Sequence, residues 1–182
     1  MKKLIIFFAI IFAAVAGNAQ FKSASLQAAG LTCAMCTKAI NKALDRLPFI
    51  SKVEPDIQNS AFIITFKEGA DIDFDAMKNA VEEAGFSVAK LKATGTFNNL
   101  SVQNDAHVKL GGKTFHFLNV GNQQLNGQKS VQFVDRNFVT DKEFKKFSAA
   151  TKMSCVQTGK AASCCVMDGT PQNTRVYHVT LS

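Results

Sequence analysis

AFIITFKEGADIDFDAMKNAVEEAGFSVAK, residues 61–90, decides the fold, because it holds a strand, a fully punctuated helix and the start of a second strand. Ala61 to Lys67 is rich in β-branched and aromatic residues, the composition of a strand. Asp73 stands where a carboxylate can accept the unpaired N–H groups of a helix start. Phe74, Met77, Val81 and Ala84 then recur at three- and four-residue spacing and make one apolar face. Gly85 can adopt the left-handed conformation that closes a helix, and Phe86 is the apolar residue that packs back upon it. Ser87 to Lys92 resumes as a strand. Upstream, Ser23–Ala29 reads as a short strand and Gly30–Cys33 as a loop. Ala34 to Leu47 reads as a helix through Ile40, Leu44 and Leu47, closed by Pro48. Ile50 to Ile57 is a strand interrupted by Pro55, which places it at a sheet edge. The order is β-α-β-β-α-β, the ferredoxin-like pattern, with four strands carrying both helices on one face.

Working outward, Thr94-Gly95-Thr96 marks the expected end of this unit, giving domains at 20–94 and 95–182. The second half should be β-rich, a small barrel or sandwich with one short helix, so the overall class is α+β. Ala106–Leu110 and Lys113–Val120 flank Gly111-Gly112, a hairpin signal because both turn positions can take positive φ. Val131–Val134 is a further strand. Thr140 and Glu143 form a capping box for a helix bearing Phe144 and Phe147. Arg175–Leu181 closes the chain as a strand, with Tyr177, Val179 and Leu181 on one face and His178 on the other.

Residues 1–19 carry two lysines, a continuous apolar run from Leu4 to Val15 and small residues at Gly17-Asn18-Ala19. This is the pattern of a secretory signal peptide cut after Ala19. The run is short against the roughly 20 residues that a membrane span needs. The expected location is therefore exported, in a bacterial periplasm. Charge is uneven: residues 20–94 hold nine basic and nine acidic side chains, and residues 95–182 hold ten and five. The compartment argues against a nucleic-acid partner, and a basic face of this size suits an acidic partner or simple solubility. Membrane contact is expected only through a partner.

Five cysteines in an exported chain is an odd number, so at least one lies outside any internal disulfide. Cys33 and Cys36, in GLTCAMC (residues 30–36), sit where a loop meets a helix. The positive end of the helix and its unpaired N–H groups favour thiolate there. Two thiolates without a nearby histidine or carboxylate under-fill the four positions of zinc. They suit a soft ion that accepts few ligands, Cu(I) or Hg(II). Metal clamp, redox couple and structural disulfide remain open on these residues, in that order of preference.

Gly30-Leu31-Thr32-Cys33-Ala34-Met35-Cys36 resembles the G-M-T-C-x-x-C motif of heavy-metal-associated domains. These occur in copper chaperones, in the N-terminal modules of metal-pumping P-type ATPases and in periplasmic mercury-binding proteins. The resemblance covers about residues 23–94 and implies the same β-α-β-β-α-β fold. It implies that Cys33 and Cys36 are the metal ligands, with Thr32 and Phe86 in the loops beside the ion. Leu31 replaces the family's usual Met, a residue that packs beneath the loop. The implied cargo is Cu(I), with Hg(II), Zn(II) or another thiophilic ion as alternatives, and the implied partner is a metal-transporting ATPase or another metal-handling protein.

A second sulfur-rich stretch, MSCVQTGKAASCCVM (residues 153–167), brings Cys155, Cys164 and Cys165 close in sequence between Met153 and Met167. Thr158-Gly159-Lys160 can turn the chain and bring Cys155 opposite Cys164 or Cys165. A stapling disulfide is the first expectation. A second soft-metal site of two or three thiolates, with Met153 or Met167 as thioethers, is the functional alternative. His107, His116 and His178 read as scattered strand residues, and no nucleophile–base arrangement is recognisable. The expectation is a non-enzymatic soft-metal carrier. The alternatives are a periplasmic thiol–disulfide oxidoreductase, or an adaptor or sensor that docks a metal transporter through the basic second half.

Overall fold

The computed structural model describes residues 20–31, 33–166 and 169–182, apart from the side chains of Cys164 and Val166. The expected signal peptide, Thr32 and Met167 lie outside these residues. The first half follows the expected order: β1 (Gln20–Ala29), α1 (Ala34–Asp45), β2 (Ile50–Asp56), β3 (Ala61–Phe66), α2 (Phe74–Glu83) and β4 (Ser87–Val102). Asp73 caps α2 as expected, its Oδ1 accepting the Ala76 N–H at 3.0 Å. Gly85 ends the helix at φ +88°. The Phe86 N–H reaches back to the Val81 carbonyl at 3.1 Å. β2, with Pro55 inside it, is the outermost strand, where a missing N–H costs least.

The second half corrects the expectation. β5 (Ala106–Leu110), β6 (Lys113–Phe117), β7 (Gln123–Phe133) and β8 (Val176–Leu181) form no separate barrel or sandwich. They extend the first sheet, and the described strands run in the order β2-β3-β1-β4-β7-β8-β6-β5. The place where Thr94-Gly95-Thr96 suggested a boundary lies inside β4, which pairs with β1 on one side and β7 on the other. Gly95 is there for clearance. A Cβ on it would stand 2.9 Å from the Gln20 carbonyl and 3.2 Å from the Phe21 Cα, both backbone atoms that cannot move aside.

Strand alternation assigns the two faces. On one, Leu26, Phe62, Ile64, Leu91, Phe115, Phe117, Phe133, Tyr177 and Val179 join α1 and α2 in a single core. Phe74 of α2 is its centre, with ring centroids 5.5 Å from Phe21, 4.5 Å from Phe133, 6.4 Å from Phe115 and 5.6 Å from Tyr177. The sheet curls around it. β1 and β6 stand four positions apart, about 19 Å in a flat sheet, yet the Phe21 and Phe115 rings are 5.6 Å apart. The opposite face of the second half is covered by the chain between β7 and β8. That segment holds α3 (Asp141–Ser148), α4 (Cys155–Thr158) and α5 (Ser163–Val166), three helices where one was expected. Thr140 does cap α3, its Oγ1 accepting the Glu143 N–H at 3.4 Å.

Arg175, just before β8, ties these layers together. It donates to both Asp75 oxygens at 2.8 and 3.0 Å, to Asp135 Oδ1 at 3.1 Å and to the Gly159 carbonyl at 3.2 Å. Its guanidinium also lies 4.2 Å over the Tyr177 ring. Burial works to raise the Asp75 carboxyl. The Arg175 hydrogen bonds and charge, with Tyr177 and Lys78, outweigh burial and hold the group below its ordinary range.

Two outcomes follow from this packing. Phe74→Ala empties the shared core and should cost about 3–5 kcal/mol. Because one core serves both halves, urea unfolding followed by tyrosine fluorescence and by far-UV circular dichroism should shift together. Two separated transitions would contradict the shared core. Asp75 binds its proton more weakly in the folded chain than in the unfolded one, so its contribution is complete above the ordinary value of 3.8 and is lost as pH falls through the lower folded value. Asp75→Asn should therefore flatten the acid limb of a stability-against-pH curve below about pH 4.

Candidate metal centres

The first candidate lies at the N-terminus of α1. Cys33 is the helix cap, with φ −140° and ψ 152°, and its Sγ accepts the Cys36 N–H at 3.1 Å. The first turn contains no acidic residue, so no carboxylate of that turn offsets the positive end of the helix dipole at the sulfurs. The structure shows the pair as a disulfide, with Cα atoms 5.3 Å apart. In that state neither sulfur can ligate, and two electrons and two protons must be added before two thiols are available. Cys33 is exposed and Cys36 half-buried, so an incoming thiol can reach them. Leu31 packs against the main core, as expected for a residue under the loop, and Phe86 packs there too. Met35 is 75% exposed.

The second candidate is built differently from the sulfur cluster the sequence suggested. Cys155 and Cys165 are buried together with Ala161 and Val176, and Met153 packs against them. The side chain of Cys164 and all of Met167 lie outside the described residues. The histidines, read as scattered, instead form a row. His107 on β5 pairs directly with His116 on β6, and His116 pairs in parallel register with His178 on β8. Directly paired residues share a face, so the three imidazoles stand side by side. The His107 and His116 rings stack with centroids 4.4 Å apart, and those of His116 and His178 are 5.1 Å apart.

α4 lays Cys155 over this row. Its Sγ lies 3.5 Å from His178 Nε2, 3.6 Å from His116 Nδ1 and 3.9 Å from His107 Nε2. The far nitrogens of two of the rings face carboxylates: His178 Nδ1 is 2.8 Å from Asp135 Oδ1, and His116 Nε2 is 3.1 Å from Asp105 Oδ1. An ionised carboxylate only accepts, so those nitrogens carry the protons. In the neutral rings, His178 Nε2 and His116 Nδ1 then turn lone pairs toward the sulfur. Burial first, then the nearby His178 and His107, push the His116 imidazolium down to about 4, so the ring is neutral near pH 7. Asp105 is positioned by its own backbone. It sits at φ +59°, and its N–H bonds the Phe117 carbonyl at 2.9 Å.

One signal for this row is present in the sequence, in the spacing of two histidines about a turn. A hairpin turning on Gly111-Gly112 pairs Leu110 with Lys113, and three steps outward it pairs His107 with His116. The geometry also lines up Cys155, His178 and Asp135, a nucleophile–base–carboxylate order that sequence spacing does not reveal.

Residues 25–87 match the heavy-metal-associated domain. A copper-transporting ATPase 1 of Rhizobium meliloti is 33% identical over 66 residues, 36% of this chain and 8% of the ATPase. A probable copper-exporting P-type ATPase of Archaeoglobus fulgidus is 32% identical over 69 residues, 38% of this chain and again 8% of the relative. The chain thus spans less than a tenth of the length of either. Among solved structures, the CopZ metallochaperone is 21% identical over 37% of this chain and 98% of its own, with a TM-score of 0.34.

Proposed function

We propose that this chain is an exported, non-catalytic carrier of a soft metal ion, Cu(I) foremost, which it holds between Cys33 and Cys36 and passes on by thiolate exchange. The observation that carries this reading is the capped sulfur. Cys33 accepts a helix N–H at 3.1 Å, at an exposed helix start, within a segment that matches the heavy-metal-associated domain. Helix-start placement favours thiolate, and two thiolates suit a d¹⁰ ion with low coordination demand. Two sulfurs leave the ion open to a third, so the receiving thiol binds before the first is released. The copper ATPases similar to this segment support Cu(I) over Hg(II) or Zn(II). They also support a metal-transporting ATPase, or another protein bearing the same domain, as the partner. Export rests on the leader-like residues 1–19, and an oxidising compartment fits a pair that rests as a disulfide.

That same disulfide favours a second reading, a thiol–disulfide oxidoreductase. The two readings differ in turnover. Fully reduced protein should bind one Cu(I) per chain at this pair, measured by competition against a chromogenic Cu(I) chelator. The Cys33→Ser, Cys36→Ser double variant should lose that equivalent. Undiminished binding overturns the carrier reading. Catalytic amounts of the protein should reduce a disulfide substrate no faster than free dithiol, and faster turnover would favour the oxidoreductase.

A further inference from the structure

We propose that Cys155, His107, His116 and His178 form a second metal site, independent of the first, that takes a borderline first-row cation, Zn(II) or copper, between one thiolate sulfur and the imidazole nitrogens. An ion about 2.3 Å from a thiolate and about 2.0–2.1 Å from each imidazole, at the tetrahedral angle, sets sulfur and nitrogen about 3.6 Å apart. The Sγ lies 3.5 and 3.6 Å from His178 and His116, and 3.9 Å from His107. The ligand atoms of His107, His116 and Cys155 all fall within 4.8 Å of one another, and His178 Nε2 stands 3.5 Å from the same sulfur.

The donor set explains itself better around a cation than around a proton. A thiol has one hydrogen to give, yet with the rings neutral two nitrogen lone pairs, on His116 and His178, face this sulfur. One hydrogen can satisfy only one of those nitrogens. A cation at the centre satisfies all of them and the thiolate together. Asp105 and Asp135 stand where outer carboxylates fix the tautomer and orientation of metal-binding histidines. Asp135 is itself fixed, accepting the His178 N–H at 2.8 Å and Arg175 at 3.1 Å. Three imidazoles and one sulfur exclude Mg(II) and Ca(II), which demand oxygen. The same atoms could instead be a Cys–His–Asp nucleophile. Cys155 is fully buried, however, and meets several imidazoles rather than one base, which suits a ligand. His107, on the edge strand and only half-buried, is the side from which an ion enters.

The test uses the Cys33→Ser, Cys36→Ser protein, so its outcome does not depend on the carrier reading. Co(II) is added under reducing conditions as an optical stand-in for Zn(II), with Zn(II) and Cu(I) titrated against it in separate arms. One equivalent should bind, with the intense visible bands of a tetrahedral ion and a thiolate charge-transfer band in the near ultraviolet. The ion that displaces Co(II) at the lower concentration identifies the preferred cargo. Further substitution Cys155→Ser should abolish the charge-transfer band, whereas Cys165→Ser should leave it. Asp105→Asn, which retains the ligands, should weaken binding about 10- to 100-fold. The melting temperature with and without Zn(II) checks that each variant folds, and a Zn(II)-dependent rise should be present in the parent and small in Cys155→Ser. Absence of bound Co(II) and of any Zn(II)- or Cu(I)-dependent rise in the folded parent overturns the proposal, as does a charge-transfer band that survives Cys155→Ser.

Discussion

One strand constrains everything else. β4, Ser87–Val102, is the last strand of the ferredoxin-like unit and the first on which the second half builds. Its N-terminal part pairs with β1, and from Lys92 onward it also pairs with β7. Because β4 belongs to both halves of this one sheet, the twist and curl of the first half carry into the second. The curl lets a single ring, Phe74, touch residues of β1, β6, β7 and β8. The two candidate centres thus sit on one rigid frame, the first on the helical face and the second on the opposite face.

Arg175 supplies the chemical link that packing alone does not. Its charge is opposed by burial and sustained by Asp75 and Asp135, which keep the guanidinium protonated more firmly than usual. Through Asp75 it holds α2, and through Asp135 it holds the base of His178. Through the Gly159 carbonyl it holds the end of α4, the helix that carries Cys155. A Cβ at Gly159 would lie 2.8 Å from this guanidinium, and the residue's φ of +68° is the left-handed conformation that favours glycine.

The first half was legible because its signals are local. Asp73, Gly85 and the apolar spacing of Phe74, Met77 and Val81 state the start, end and buried face of α2 within a dozen residues. Pro55 named its own edge. Thr-Gly-Thr at 94–96 misled for an equally physical reason: a glycine that makes room for a neighbouring backbone looks, in one dimension, like one that loosens a linker. The imidazole row was half legible. His107 and His116 are symmetric about Gly111-Gly112, but His116 and His178 meet through a parallel pairing that strand alternation does not announce. Alternation gives a residue's face and leaves its lateral neighbour open. The cover over that face, carried by α4 and α5, has too little periodicity to read.

That parallel pairing also ties the row to residues far apart along the chain. Parallel neighbours need a long crossover, and here it spans β7 and the helices α3 to α5 before Val176 lies beside Thr114. Contacts so distant along the chain carry a larger loop-closure cost than local ones. The imidazole row is therefore complete only when β8 has crossed back to β6 and the cover lies over it. A ligand that recognises only the finished arrangement draws the population toward it, by the linkage that governs any partner of the native state. The buried row is in this sense a mark of the closed fold, present only once β8 and the helices before it are in place.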